Sequence, residues 1–130
     1  MMQINQLINL GSKSLKKKLI SSYQIDSEII LSKILKKSRE KILISLDELI
    51  SHKKFSSFKE LINRRAKSEP IAYIVKEKEF WSKNFLVNRG TLIPRPETEL
   101  MVEKIIKIFK SKDIFVLDIG TGTGCILLSL

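Results

Sequence analysis

The sequence predicts an α + α/β chain: a helical bundle over residues 1–70, a β-hairpin linker over 71–90, and the truncated beginning of a doubly wound, parallel-sheet domain over 91–130. Three observations predict it. Apolar residues recur at helical spacing as far as Pro70. The segments after Pro70 are short, β-branched or aromatic, and broken by Asn84, Asn88 and Gly90. One continuous apolar run, Ile114 to Ile119, then leads straight into a glycine loop.

Each element follows from its residues. Ile4, Leu7, Ile8, Gly11, Leu15 and Leu19 keep the three-and-four spacing of a helix with one buried face. Ile25, Ile29, Ile30, Ile34 and Leu35 carry a second helix, with Asp26, Ser27 and Glu28 available to the unpaired N–H groups of its first turn. Shorter helices are expected from Ser38 to Ile44 and around Asp47 to Ile50. A longer one holds Phe55, Phe58, Leu61, Ile62 and Ala66 on one face and ends before Pro70, because a proline pushes the preceding residue out of the helical region. Ile71–Val75, Phe80–Trp81 and Phe85–Val87 read as strands. Pro94-Arg95-Pro96-Glu97-Thr98-Glu99 opens a helix that runs to about Lys110 and buries Leu100, Met101, Ile105, Ile108 and Phe109. Ile114 to Ile119 reads as a strand buried on both faces, followed by a helical start from Cys125 to Leu130.

Composition excludes several classes. No apolar stretch approaches the roughly 18 residues of a membrane span, and Met1 to Leu15 lacks the zones of a signal peptide, so a cytoplasmic protein is expected. Cys125 is the single cysteine and His52 the single histidine, which indicates neither an internal disulfide nor a metal site. The net charge of +10 invites a nucleic-acid partner. The surplus sits in the first half: residues 1–70 hold 15 Lys or Arg against 7 Asp or Glu, and residues 71–130 hold 9 against 7. Those lysines are scattered and not interleaved with aromatics, as the solvated faces of helices are, which weakens the reading of a nucleic-acid partner.

The loop Asp118-Ile119-Gly120-Thr121-Gly122-Thr123-Gly124 lies between an expected strand and an expected helix, where glycines let backbone approach a ligand closely. A triphosphate-binding loop needs Lys and then Ser or Thr after its last glycine, and this chain has Cys125-Ile126. A dinucleotide fingerprint needs its third glycine or alanine three residues after Gly122, where Cys125 stands. What remains, an acid two residues before G-x-G-x-G, resembles the first motif of the S-adenosylmethionine-dependent methyltransferases.

A second block narrows the resemblance. Arg64-Arg65, Ser68-Glu69-Pro70-Ile71-Ala72-Tyr73-Ile74, Glu79-Phe80-Trp81 and Thr91-Leu92-Ile93-Pro94-Arg95-Pro96-Glu97-Thr98-Glu99, followed by the glycine loop, are similar to the release factor glutamine methyltransferases, the PrmC or HemK family. The likeness is close over residues 64–124 and looser over the helical amino terminus. It implies a helical substrate-recognition domain, a hairpin linker and a Rossmann-like methyltransferase domain. It also implies S-adenosylmethionine as cofactor, held by Gly120, Thr121, Gly122, Thr123 and Gly124, with Asp118 supporting the loop and Arg95 and the Glu97-Thr98 turn beside the site. Arg95 could equally be a surface salt-bridge partner, and Glu97 and Glu99 helix caps.

The family's reaction places a methyl group on the side-chain amide of the glutamine in a Gly-Gly-Gln motif of peptide chain release factors. The resemblance therefore implies a release factor as partner, met by a monomer, with nucleic acid reached only indirectly through the ribosome and no membrane contact. Residues 1–130 do not contain the family's Asn-Pro-Pro-Tyr motif, which holds the substrate amide, so no catalytic residue is assigned and inactivity of these residues alone is expected. Lys76 stands where the family usually has glycine, which is expected to alter a turn in the linker. Two other readings stay open at this stage: a non-catalytic binding module for a release factor or ribosomal RNA, and a methyltransferase acting on ribosomal protein or nucleic acid.

Overall fold

The computed structural model describes residues 1–110 and 112–130, and the chain divides into two units, Met1–Val75 and Lys76–Leu130. The first unit runs β1 (Met2–Gln3), α1 (Ile4–Lys16), α2 (Tyr23–Leu35), α3 (Arg39–Leu43), β2 (Leu49–Ile50), α4 (His52–Ala66) and α5 (Ile71–Val75). The second holds β3 (Glu77–Phe80), β4 (Lys83–Leu86), a 3-10 turn at Pro96–Thr98, α6 (Glu99–Phe109) and a 3-10 turn at Leu127–Ser129. The fold is thus helical with two small antiparallel strand pairs, β1 with β2 and β3 with β4. Among the described residues no helix is long and apolar enough to cross a membrane.

Most residues of the stripes read from the sequence form the core of the first unit, although Ile25 of α2 is exposed and Leu31, outside the stripe read there, is buried. Ile4, Leu7, Ile8 and Leu15 of α1 pack with Ile30, Leu31 and Leu35 of α2, Phe58 and Ile62 of α4, and Ile74 of α5. Burial of each such side chain contributes roughly 1.5–3 kcal/mol, and together they offset much of the cost of ordering the chain. Gly11 sits at the centre of this packing: a Cβ there would come within 2.4 Å of Ser27 Oγ and 2.7 Å of Phe58 Cζ. A missing side chain on α1 is what lets α2 and α4 close upon it.

A polar seam runs beside that core, and it revises the capping roles expected of α2. Asp26, Ser27 and Glu28 are buried, so they are not solvent-side caps. Ser27 Oγ donates to the carbonyl of Ile8 at 3.0 Å. The Asp26 carboxylate accepts from Ser22 Oγ at 2.8 Å and from Arg65 Nε at 2.7 Å. Glu28 accepts from Arg39 Nε at 2.6 Å. Arg65 also donates to the carbonyl of Glu69, while Arg64 pairs with the Glu69 carboxylate through two bonds of 2.8 and 2.7 Å. That hydrogen bond to Glu69 pushes the Arg64 guanidinium further above its ordinary pKa. The arginine pair therefore fastens the end of α4 to α2 and to the turn before Pro70.

Four sequence expectations are corrected in this unit and the next. The first helix ends at Lys16, and Leu19, at a φ of +58°, is exposed instead of buried. Asp47 to Ile50 forms no helix; Leu49–Ile50 pairs with Met2–Gln3, Ile50 opposite Met2 and Leu49 opposite Gln3, a distant partner that local pattern could not reveal. Ile71–Val75 is helix α5 and not a strand, because Pro70 starts a turn whose carbonyl accepts from the N–H groups of Tyr73 and Ile74. Ile114 to Ile119 forms no strand: 112–118 is irregular backbone, with Phe115, Leu117 and Ile119 exposed. A parallel strand exists only through its neighbours' hydrogen bonds, and none of the described residues supplies them. Ser111 lies outside the described residues.

In the second unit β3 and β4 form the expected hairpin, with Phe80 opposite Lys83 across a two-residue turn at Trp81 and Ser82. Both turn residues hold positive φ, +50° and +56°, the geometry of the tight turn that matches strand twist and ordinarily takes Asn-Gly. Phe80, Phe85, Val102 and Cys125 form the small core of this unit. Helix α6 buries only Val102, whereas Leu100, Met101, Ile108 and Phe109 of the expected face are exposed and Ile105 is half-buried.

Lys76, the first residue of this unit, takes a φ of +63°. This gives the departure from glycine a physical content, since a Cβ in the left-handed region costs roughly 1–2 kcal/mol and glycine gives back part of that in backbone entropy. Lys76→Gly is expected to stabilise the chain by about 0.5–1 kcal/mol, read as a higher urea midpoint with an unchanged slope. A lower midpoint would refute a strained Lys76.

Candidate functional site

The glycine loop and the Pro-Arg-Pro block meet in the second unit around a cleft of about 110 Å³. Leu92, Ile93, Pro94, Arg95 and Thr98 line one side, and Gly120, Thr121, Gly122, Thr123, Cys125 and Ile126 the other. The sequence brought five of the seven candidate residues to this cleft: Arg95, Gly120, Thr121, Gly122 and Thr123. Asp118 and Gly124 flank it without lining it. Leu92, Ile93, Cys125 and Ile126 were not anticipated; the signal for them was adjacency to motif residues, which spacing alone does not weigh.

The loop's shape comes from its glycines. Gly120, Gly122 and Gly124 hold φ of +80°, +58° and +75°, conformations open to glycine at little cost and strained for any other residue. Around Gly120 an added Cβ would meet no atom within 4 Å, so it is the backbone angle and not crowding that demands glycine there. Gly124 N–H donates to the carbonyl of Thr121 at 2.9 Å, closing the loop on itself, and Leu128 N–H returns to the carbonyl of Gly124 at 3.0 Å. The amide of Gly124 is therefore committed to the loop and not offered to a ligand.

Two polar atoms of the loop are sealed from solvent without a partner among the described residues: Asp118 Oδ2 and Thr123 Oγ1. A buried polar atom left unpaired costs about 1–3 kcal/mol, which makes both ready acceptors for a donor-bearing ligand or a neighbouring chain segment. The opposite wall is built by the proline block. Pro94 is buried, Arg95 is exposed, and its carbonyl accepts from Thr98 N–H at 3.0 Å to start the 3-10 turn. No ion pair holds the Arg95 guanidinium among the described residues, so the reading of Arg95 as a surface salt-bridge partner finds no partner here. Glu97 is exposed. Glu99, expected as a cap of its own helix, instead accepts from the backbone N–H of Trp81 at 2.8 Å.

Residues 6–75 match the PrmC N-terminal domain family. The chain is 43% identical over 130 residues to a release factor glutamine methyltransferase of Buchnera aphidicola subsp. Baizongia pistaciae, covering 99% of this chain and 47% of that protein. It is 40% identical over 126 residues to the enzyme of that name from Leptospira interrogans, covering 95% of this chain and 44% of the relative. A bifunctional methyltransferase of Rickettsia conorii is 36% identical over 152 residues, with 98% of this chain and 29% of the relative covered. The chain spans less than half the length of these curated relatives.

These relatives are all methyltransferases by name, and that defines the class as a methyltransferase family. Within that class the chain belongs to the PrmC family, that of the release factor glutamine methyltransferases.

Proposed function

We propose that these residues form the substrate-docking bundle, hairpin linker and cofactor loop of an enzyme that methylates a release factor glutamine within Gly-Gly-Gln, using S-adenosylmethionine. One observation carries the reading. The likeness to relatives of that name covers 99% of the chain, so it takes in the glycine loop and the Pro94–Glu99 block as well as the bundle. In this reading residues 1–70 dock the release factor, 71–90 link, and 91–130 begin a doubly wound methyltransferase domain in a cytoplasmic monomer.

The cleft fits part of such a cofactor. Its volume of about 110 Å³ is below the roughly 300–1,000 Å³ of a complete ligand pocket, so it would hold one end of the cofactor at most. When bound, S-adenosylmethionine supplies the methyl group as a sulfonium substituent. Gly120 and Gly122 would present bare backbone to it, Thr121 and Thr123 hydroxyls, and Asp118 an unpartnered carboxylate oxygen beside the loop, with Arg95 on the same cleft as the cation for a carboxylate.

An amide nitrogen is a weak nucleophile, because its lone pair is delocalised into the carbonyl, and the catalytic task is to grip and align it. The Asn-Pro-Pro-Tyr motif that does this in the family is not among residues 1–130, so we expect those residues alone to dock substrate without methylating it. The test is a chimera that joins residues 1–130 to the remaining carboxy-terminal part of the Baizongia pistaciae relative. It is expected to transfer labelled methyl to a release factor and not to its Gln→Ala variant. Labelling of both proteins, or of neither while the intact relative is active, would refute the assignment.

A further inference from the structure

The hairpin tip is tied to both walls of the cleft, and we propose that it acts as a clamp setting the cleft's geometry, with Glu99 and Lys83 as positioning residues; this rests on the reading of the cleft as a cofactor site. The two-residue turn at Trp81 and Ser82 is built from residues poorly suited to it, each at positive φ. Such a turn persists only where its surroundings hold it. Two polar ties do so. On one side the Glu99 carboxylate accepts from Trp81 N–H at 2.8 Å, and Glu99 directly follows Thr98, which lines the cleft. On the other, Lys83 Nζ donates to the carbonyl of Leu128 at 2.6 Å, in the segment that follows the glycine loop.

Beneath these ties the strands pack on the same two walls. Phe80 and Phe85 meet edge to face with ring centroids 6.1 Å apart, and they share a core with Val102 of α6 and with Cys125, which follows Gly124 and lines the cleft. The hairpin therefore touches the glycine wall at Cys125 and is joined to the residues next to both walls, Glu99 after Thr98 and Leu128 after Ile126. Its strained tip transmits any loosening to the separation of the two walls. Glu99 touches no part of the cleft itself and acts through the hairpin and α6.

Amide hydrogen exchange on the 130-residue chain tests this without any ligand. In Glu99→Ala, the hydrogen-bonded amides of Gly124 and Leu128 are expected to exchange about ten-fold faster, the scale of one lost charged hydrogen bond, while those of α1, α2 and α4 are unchanged. Glu99→Gln keeps an acceptor oxygen for Trp81 N–H and is expected to behave as the native chain. Adding Ser82→Gly to Glu99→Ala relaxes the turn and should restore part of the protection. Unchanged loop exchange in Glu99→Ala, or equal acceleration in Glu99→Gln, overturns the clamp. A further arm measures S-adenosylmethionine affinity in the chimera, where Glu99→Ala is expected to weaken binding about ten-fold and Glu99→Gln to leave it intact. Equal affinity in Glu99→Ala and the native sequence also overturns the clamp, whereas absence of binding by the native sequence speaks against the cofactor site and leaves the exchange result to decide the clamp.

Discussion

Phe58→Ala is expected to lower the stability of the chain by about 3–5 kcal/mol, because it removes a fully buried ring from the point where three helices meet. The site cannot collapse easily. Gly11 already brings α1 as close as backbone allows, with its missing Cβ position 2.7 Å from Phe58 Cζ, so α1 has little further to move. Ile62, one turn along α4, is also buried and fixed by the same contacts. The cavity therefore stays open and adds its own cost to the lost transfer energy. Urea unfolding followed by circular dichroism measures the loss, and a change below about 1 kcal/mol, the mean effect of an ordinary substitution, would show that the three helices do not pack as described.

Arg65→Leu is expected to cost about 3 kcal/mol, for an electrostatic reason. Asp26 is 4% exposed at its side chain and Arg65 17%, so the substitution strands a buried carboxylate that keeps, among the described residues, the Ser22 hydroxyl as its side-chain donor. It also removes the donor to the carbonyl of Glu69. The pair as a whole need not be stabilising, since taking two charges out of water offsets most of their attraction. Adding Asp26→Asn to Arg65→Leu is accordingly expected to recover a large share of the loss. A double variant as unstable as the sum of the single ones would show that the two side chains do not interact.

These two predictions use features of different legibility. Phe58 lies on a stripe visible from the spacing of Phe55, Phe58, Leu61 and Ile62, and the long helices follow from such stripes because their periodicity is local. The Asp26–Arg65 bond joins residues 39 positions apart, and nothing in either neighbourhood announces it; Asp26 reads as a cap since acids favour the first turn of a helix. Non-local partners also account for the pairing of Leu49–Ile50 with the amino terminus. Ile71–Val75 misled through composition: Ile, Tyr and Val favour strands, yet Pro70 and burial of Ala72, Ile74 and Val75 select a helix.

The candidate site divides the same way. Glycines at Gly120, Gly122 and Gly124 announce backbone angles, and the structure gives all three positive φ. The Pro-Arg-Pro block announces a helix start and lies across the cleft from the loop. What spacing did not convey is the commitment of the Gly124 amide to Thr121, or the use of Glu99 by the hairpin. Both are hydrogen bonds to backbone, which leave no residue-type signature.

The decisive measurement is a calorimetric titration of S-adenosylmethionine into the chimera, native at position 122 and with Gly122→Val. A valine forced to a φ of +58° must distort the loop, although its Cβ has room, the nearest atom being 3.9 Å away. Saturable heat from the native form, and affinity at least about ten-fold weaker from the variant, is the outcome the account requires. Matching affinities in the two forms would mean that the ligand is held elsewhere than on this loop.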